Sequence, residues 1–224
     1  MRKGIKILIA VILLVLVAVS SFAIWQWKNI KSIYVGVTDS EEKIVQKRTE
    51  NQLKLVEDVT SYMDAEVRDL TQEEKQKIEN GEINVSDAYS RVFEETYEEI
   101  KNNHQADMPT KDEIVAGCVA KLYSLQSEYT ARAETTISRG KAYYLSLRKE
   151  KDAASARAET IKKFTPEVRR VEASCDAEAA KIFAELENGL KSIGENTDIS
   201  RTIKSAYENE KQLKLSYYAN KYLK

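Results

Sequence analysis

The sequence predicts an all-α protein, with an N-terminal transmembrane helix followed by an elongated antiparallel helical bundle that contains a coiled-coil-like hairpin. Three observations carry this. From Ile7 to Trp25 the chain is apolar except for Ser20 and Ser21. Only 2 prolines and 7 glycines occur in 224 residues, so few positions resist a helix. Beyond the apolar run, apolar residues recur at spacings of three and four, the period of one helix face.

The first element is the anchor, 7–27, behind a cytoplasmic tail, 1–6. At about 1.5 Å per residue the apolar run spans roughly 28 Å, close to a bilayer's hydrocarbon core. Trp25 and Trp27, the only 2 tryptophans, mark its far edge, where indoles settle in membrane interfaces. The competing expectation is a signal peptide cleaved near Ala18/Ser20 or Ser21/Ala23. Cleavage after Ala23 would strand both tryptophans at a free terminus, which favours a signal-anchor. Arg2, Lys3 and Lys6 outweigh Lys28 and Lys31, so the expected topology is single-pass, with the N-terminus cytoplasmic and 28–224 extracytoplasmic.

Residues 28–224 hold 32 Lys+Arg against 36 Asp+Glu, a net charge of −4, with the signs interspersed. A nucleic-acid partner needs a basic stripe, so none is expected. One histidine, His104, and no tryptophan beyond the anchor leave little for a catalytic pocket. No cofactor, metal or small-molecule substrate is expected, and no enzyme.

The next elements follow from caps and stripes. Residues 28–37 read as a juxtamembrane connector, and 38–103 as N-terminal helices. Thr38 with Glu41, or Asp39 with Glu42, fits a capping box for a helix running to about Leu70. Its stripe is Val45, Val56, Val59, Met63 and Leu70. Thr71 with Glu74 caps a short helix stopped by Asn80-Gly81. Ser86 caps another over about 87–102, burying Val92, Phe93, Tyr97 and Ile100. Residues 104–110 form a loop.

The block 111–224 holds a long helix and two antiparallel ones. Thr110 with Glu113 starts a tract expected to run to about 163. Its stripe passes through Val115, Cys118, Leu122, Leu125, Tyr129, Ala133, Ile137, Gly140, Tyr144 and Leu147, then Ala154, Ala158 and Ile161. The segment ARAET occurs at 131–135 and 156–160, expected on one side of that single helix. Thr165-Pro166 reads as an N-cap with proline at the first helical position, so the hairpin turn is expected there. The following helix ends at Gly194, with Val168, Val171, Cys175, Ala179, Ile182, Leu186, Leu190 and Ile193 inward. Thr197 caps the last, with Ile199, Ile203, Ala206, Leu213, Tyr217 and Leu223 inward. In this layout Cys118 and Cys175 would lie on the order of 50 Å apart, too far to bond. Two unpaired core cysteines are expected.

Chemical motifs give little. Ser138-x-x-Lys141 matches a serine-acylation motif, but its Ser-Asp-Asn and Lys-Thr-Gly companions are missing. Glu94, Glu95, Glu98 and Glu99 lack the Glu-x-x-His pairing of bundle metal sites and read as a solvated face. Asn84-Val85-Ser86 is a glycosylation sequon of low specificity. Lys211, Lys214, Lys221 and Lys224 complement a helix C-terminus.

Tyrosine is the least expected feature, 12 in all, with similar groups at KAYYLSL and KLSYYANKYL. Its apolar body and polar tip suit interfaces. Tyr143, Tyr144, Tyr217, Tyr218 and Tyr222 are therefore the candidate contact surface. The expected function is a membrane-anchored scaffold, spacer or assembly subunit without catalysis. Its expected partners are the lipid bilayer and another protein or itself. The alternatives are the exported sensory part of a membrane signalling system, or a cleaved, secreted glycan-binding protein.

Overall fold

The computed structural model describes residues 31–32, 34–104 and 108–223, with side chains through 220. The protein is all-helical, with no strand among the described residues. Helix α1 is described at 31–32 and 34–38. It is followed by α2 (Glu41–Tyr62), α3 (Gln72–Glu79), α4 (Val85–Asn103), α5 (Lys111–Leu147), α6 (Ala153–Ser192) and α7 (Asp198–Leu223). No helix among the described residues is long and apolar enough to cross a membrane. The anchor expected at 7–27, with Trp25 and Trp27, lies outside them.

The chain divides into two units. One takes the residues up to Lys54 together with those from Ser205; the other is Leu55–Lys204. In the first, α1 meets the last turns of α7 with almost no gap. A Cβ built on Gly36 would lie 2.3 Å from the Ser216 carbonyl oxygen and 2.6 Å from the Ala219 Cβ. Only glycine allows this approach. Asn220 locks it by donating from Nδ2 to the Gly36 and Asp39 carbonyls, both at 2.7 Å. Along α2, Arg48 pairs with Glu210 at 2.7 Å, and Asn51 donates to the Ala206 carbonyl at 3.1 Å. Helix α2 starts on Ser40, whose hydroxyl accepts from the Lys43 N–H at 3.3 Å, rather than on Thr38 or Asp39. Thr38 sits in the last turn of α1 with its hydroxyl donating to the Tyr34 carbonyl, and Asp39 pairs with Lys43 and Lys47.

In the second unit, α2 stops at Tyr62 rather than near Leu70. The Asp112 carboxylate, from the first turn of α5, accepts the backbone N–H groups of Asp64 at 3.1 Å and Ala65 at 2.7 Å. That tertiary acceptor replaces the helical carbonyls those donors would otherwise use. Thr71 and Glu74 form the capping box expected for α3, which ends before Gly81 at φ +72°. The start of α4 lies two residues earlier than expected. Ser86 is buried inside the helix, and the Asp87 carboxylate accepts from the Asn84 backbone N–H at 3.4 Å.

The core of this unit is α4 on α5 on α6. Val92, Phe93, Val115, Cys118, Val119, Leu122, Phe183, Leu186 and Leu190 are buried. Phe93 and Tyr123 stack at 6.2 Å, and a Cβ on Gly117 would lie 3.1 Å from the Tyr97 ring. The expected stripe of α5 is buried or half-buried from Val115 to Leu147.

The hairpin turn falls at 148–152, not at Phe164-Thr165. The Leu147 carbonyl accepts from Lys151 N–H at 2.8 Å, and Asp152 caps α6 by accepting from Ala154 at 2.9 Å and Ser155 at 3.0 Å. Pro166 sits inside α6. An interior proline costs about 3 kcal/mol, but pairing on both sides of it holds the helix to α5. Phe164 packs on Tyr143 at 5.9 Å, and Glu167 binds Arg139 and Thr136. Three expectations change with the turn. Ala154, Ala158 and Ile161 are exposed rather than core. The two ARAET copies lie on different helices, with Ala156 fully buried and Ala131 exposed. Cys118 and Cys175 are not joined, as expected. The separation is smaller, however: Ser174 bonds Tyr129 in the antiparallel pair, so Cys175 lies level with Glu128, about 15 Å along the axis from Cys118.

Candidate contact surfaces

Tyr143 lies near the closed end of the α5–α6 hairpin. Its hydroxyl donates to Glu159 Oε1 at 2.9 Å, and the same carboxylate binds Lys151. The Lys163 ammonium sits 3.8 Å from the Tyr143 ring centroid. Hydrogen bonding to the carboxylate disfavours the phenolate and raises the Tyr143 pKa, while Lys151 first and Tyr143 second hold Glu159 below the usual carboxylate range. The polar tip of Tyr143 therefore ties the hairpin together, and Lys163 and Phe164 lie against its ring. Tyr144, next on the helix, is half-buried. Sequence periodicity could not foresee this arrangement, because Glu159 was expected to continue the same helix.

Tyr217 and Tyr218, half-buried in the first unit, pack edge to face at 5.7 Å, with the Arg48 guanidinium 5.8 Å from the Tyr217 ring. Tyr222 is in α7, but its side chain lies outside the described residues. The two tyrosine groups belong to different units, and each is a local arrangement of its own.

Other polar groups are engaged with one another. His104 ends α4, and its Nδ1 lies 2.9 Å from Glu113 Oε2, which also accepts the Thr110 N–H at 2.6 Å. Arg68 bridges Glu74 and Glu95 and holds Glu74 down to about 2. Burial pushes the Cys118 thiol up to about 12, far from a reactive thiolate. Ser138 and Lys141 are exposed in the last three turns of α5. A shallow depression of about 390 Å³ runs past Glu66, Thr96, Glu99 and His104. No group of three or more metal-ligating side chains gathers there or elsewhere among the described residues.

Two contacts that sequence reasoning missed organise the second unit, Asp112 on the 64–65 backbone and Tyr129 between Ser174 and Glu178. An acid in the first turn of α5 was visible in the sequence. Its acceptor role was not, because the donors lie 47 and 48 residues away. No protein-family model, no curated protein and no solved structure matches the chain.

Proposed function

We propose that this is a membrane-anchored extracytoplasmic scaffold or assembly subunit that works through protein contacts and carries out no chemistry. The observation that carries this reading is the apolar run Ile7 to Trp25 behind Arg2, Lys3 and Lys6, long enough to span a bilayer and edged by Trp25 and Trp27. The α5–α6 hairpin supports it by giving reach. Helices of 37 and 40 residues extend on the order of 55–60 Å. The engaged tips of Tyr129 and Tyr143 support it too, since they hold the two long helices together as one extended arm.

The test is carbonate-washed membranes, protease protection and lysine cross-linking of the intact chain. Retention, protection of only the short N-terminal tail and links to another chain are the expected results. A mature protein starting after Ala23 in the soluble fraction would overturn the anchor. Swapping the anchor for an unrelated one should leave function intact, while Tyr143→Ala/Tyr144→Ala should weaken the cross-links. The opposite pattern would place the recognition inside the bilayer.

A further inference from the structure

Within the second unit the charges are segregated in space. Residues 57–104, which include α3 and α4, carry fourteen acids against five bases, net −9. Residues 132–170, the outer part of the α5–α6 hairpin, carry eleven bases against five acids, net +6. The turn at 148–152 folds the basic stretch back on itself, so two moderately basic segments become one basic arm. Arg139 and Lys151 are matched by Glu167 and Glu159. Lys141, Lys149, Arg157, Lys162 and Arg169 are exposed and carry no ion pair among the described residues. On α4, Glu94, Glu98 and Glu99 are likewise exposed without one.

The unpaired bases of the arm lie well away from the α4 acids of the same chain. Phe93 of α4 stacks on Tyr123, and Lys141 lies 18 residues farther along the same continuous helix, about 27 Å away. The Debye length at 0.1 M salt is about 10 Å, so each field acts on its surroundings independently. The basic arm also exposes Leu145 (54%), Ile161 (53%) and Val168 (42%).

We infer that the hairpin arm docks on the acidic α3–α4 region of a second copy of this chain. This rests on the scaffold reading above and names its partner. Charge complementarity selects the occupant, because the acidic surface that the arm needs is carried by the chain itself, and opposite fields steer such an encounter. Two copies arranged about a two-fold axis with their arms antiparallel satisfy both contacts at once and close the assembly. Leu145, Ile161 and Val168 then supply apolar area beside the charged contact.

The experiment is sedimentation of the full chain in neutral detergent, at low salt and near 1 M salt, where the Debye length shrinks to about 3 Å. An arm variant carries Lys141→Glu, Lys162→Glu and Arg169→Glu; an acid variant carries Glu94→Lys, Glu98→Lys and Glu99→Lys. All six positions are exposed, so both variants keep the fold, which circular dichroism checks. The wild type should self-associate at low salt and dissociate at high salt. Each variant alone should associate roughly tenfold more weakly or worse, and mixing the two should restore a heterotypic complex. A wild type that is monomeric at every salt overturns the inference. So does association that both variants retain, or an arm that binds anionic vesicles while the chain stays monomeric. Any of these outcomes leaves membrane retention untouched, so failure here is distinct from failure of the anchor.

Discussion

Replacing Asp112 by alanine removes the group that ends α2 and orders the chain leading to α3. Asp112 is 8% exposed and accepts two backbone N–H groups, from Asp64 and Ala65. Charge-assisted bonds of this kind contribute about 1.5–3 kcal/mol, and an acid in the first turn of a helix adds about 0.3–1 kcal/mol against the dipole. The loss should therefore be about 2–4 kcal/mol, a large share of a typical 5–15 kcal/mol. Urea unfolding of the full chain in detergent reads the total. Hydrogen exchange at the Asp64 and Ala65 amides reads the mechanism, and both should accelerate by roughly tenfold or more. Asp112→Asn keeps one acceptor oxygen and should fall between. If Asp112→Ala shifts stability by less than about 0.5 kcal/mol and leaves both amides protected, the end of α2 is set by a different contact.

Four further outcomes follow from the same contacts. Gly36→Ala should destabilise the first unit by about 1–3 kcal/mol, despite a helix-propensity gain near 1 kcal/mol, because its Cβ would meet the Ser216 carbonyl at 2.3 Å; an unchanged melting temperature refutes the close approach. Gly140→Ala should instead stabilise by about 0.5–1 kcal/mol, since the nearest atom, on Phe164, is 3.7 Å away; a lower melting temperature would sink this. Alkylation at pH 8 should label half-buried Cys175 before Cys118, whose thiol is pushed up to about 12; equal rates would show that Cys118 is accessible. Glu74, held down to about 2 chiefly by Arg68, contributes stability that is complete above its ordinary value of 4.5 and lost as pH falls toward 2. With Arg68 36% exposed, screening cuts the effect to about 1 kcal/mol. Glu74→Gln should remove that acid sensitivity, and an identical acid-unfolding curve would refute it.

The legible parts of the fold are those whose cause lies within a few residues. Thr71 with Glu74 and Thr110 with Glu113 are capping boxes in the structure as in the sequence, and Gly194 ends α6 at φ +76°. The misread parts involve a competing partner far along the chain. Thr165-Pro166 has the local form of a helix start, yet Phe164 and Glu167 bind α5 on either side and keep α6 continuous. Asp152 sits in a run of helix-forming Lys and Glu with no glycine or proline, so its capping role was invisible without the turn it serves. The tyrosines were identifiable by type and grouping. Their partners, Glu159 for Tyr143 and Ser174 with Glu178 for Tyr129, were not.

The sequence by itself determined that the chain is helical, where most helices begin, and which face of α5 is apolar. These depend on propensities and caps, local free energies of about 1 kcal/mol each. Only the tertiary structure decided where the long tract turns back, what the tyrosine hydroxyls hold, and that the basic stretch 132–170 folds on itself into a single arm. Each of those is a choice between packings, made by contacts between residues tens of positions apart. No local window contains both partners of such a contact.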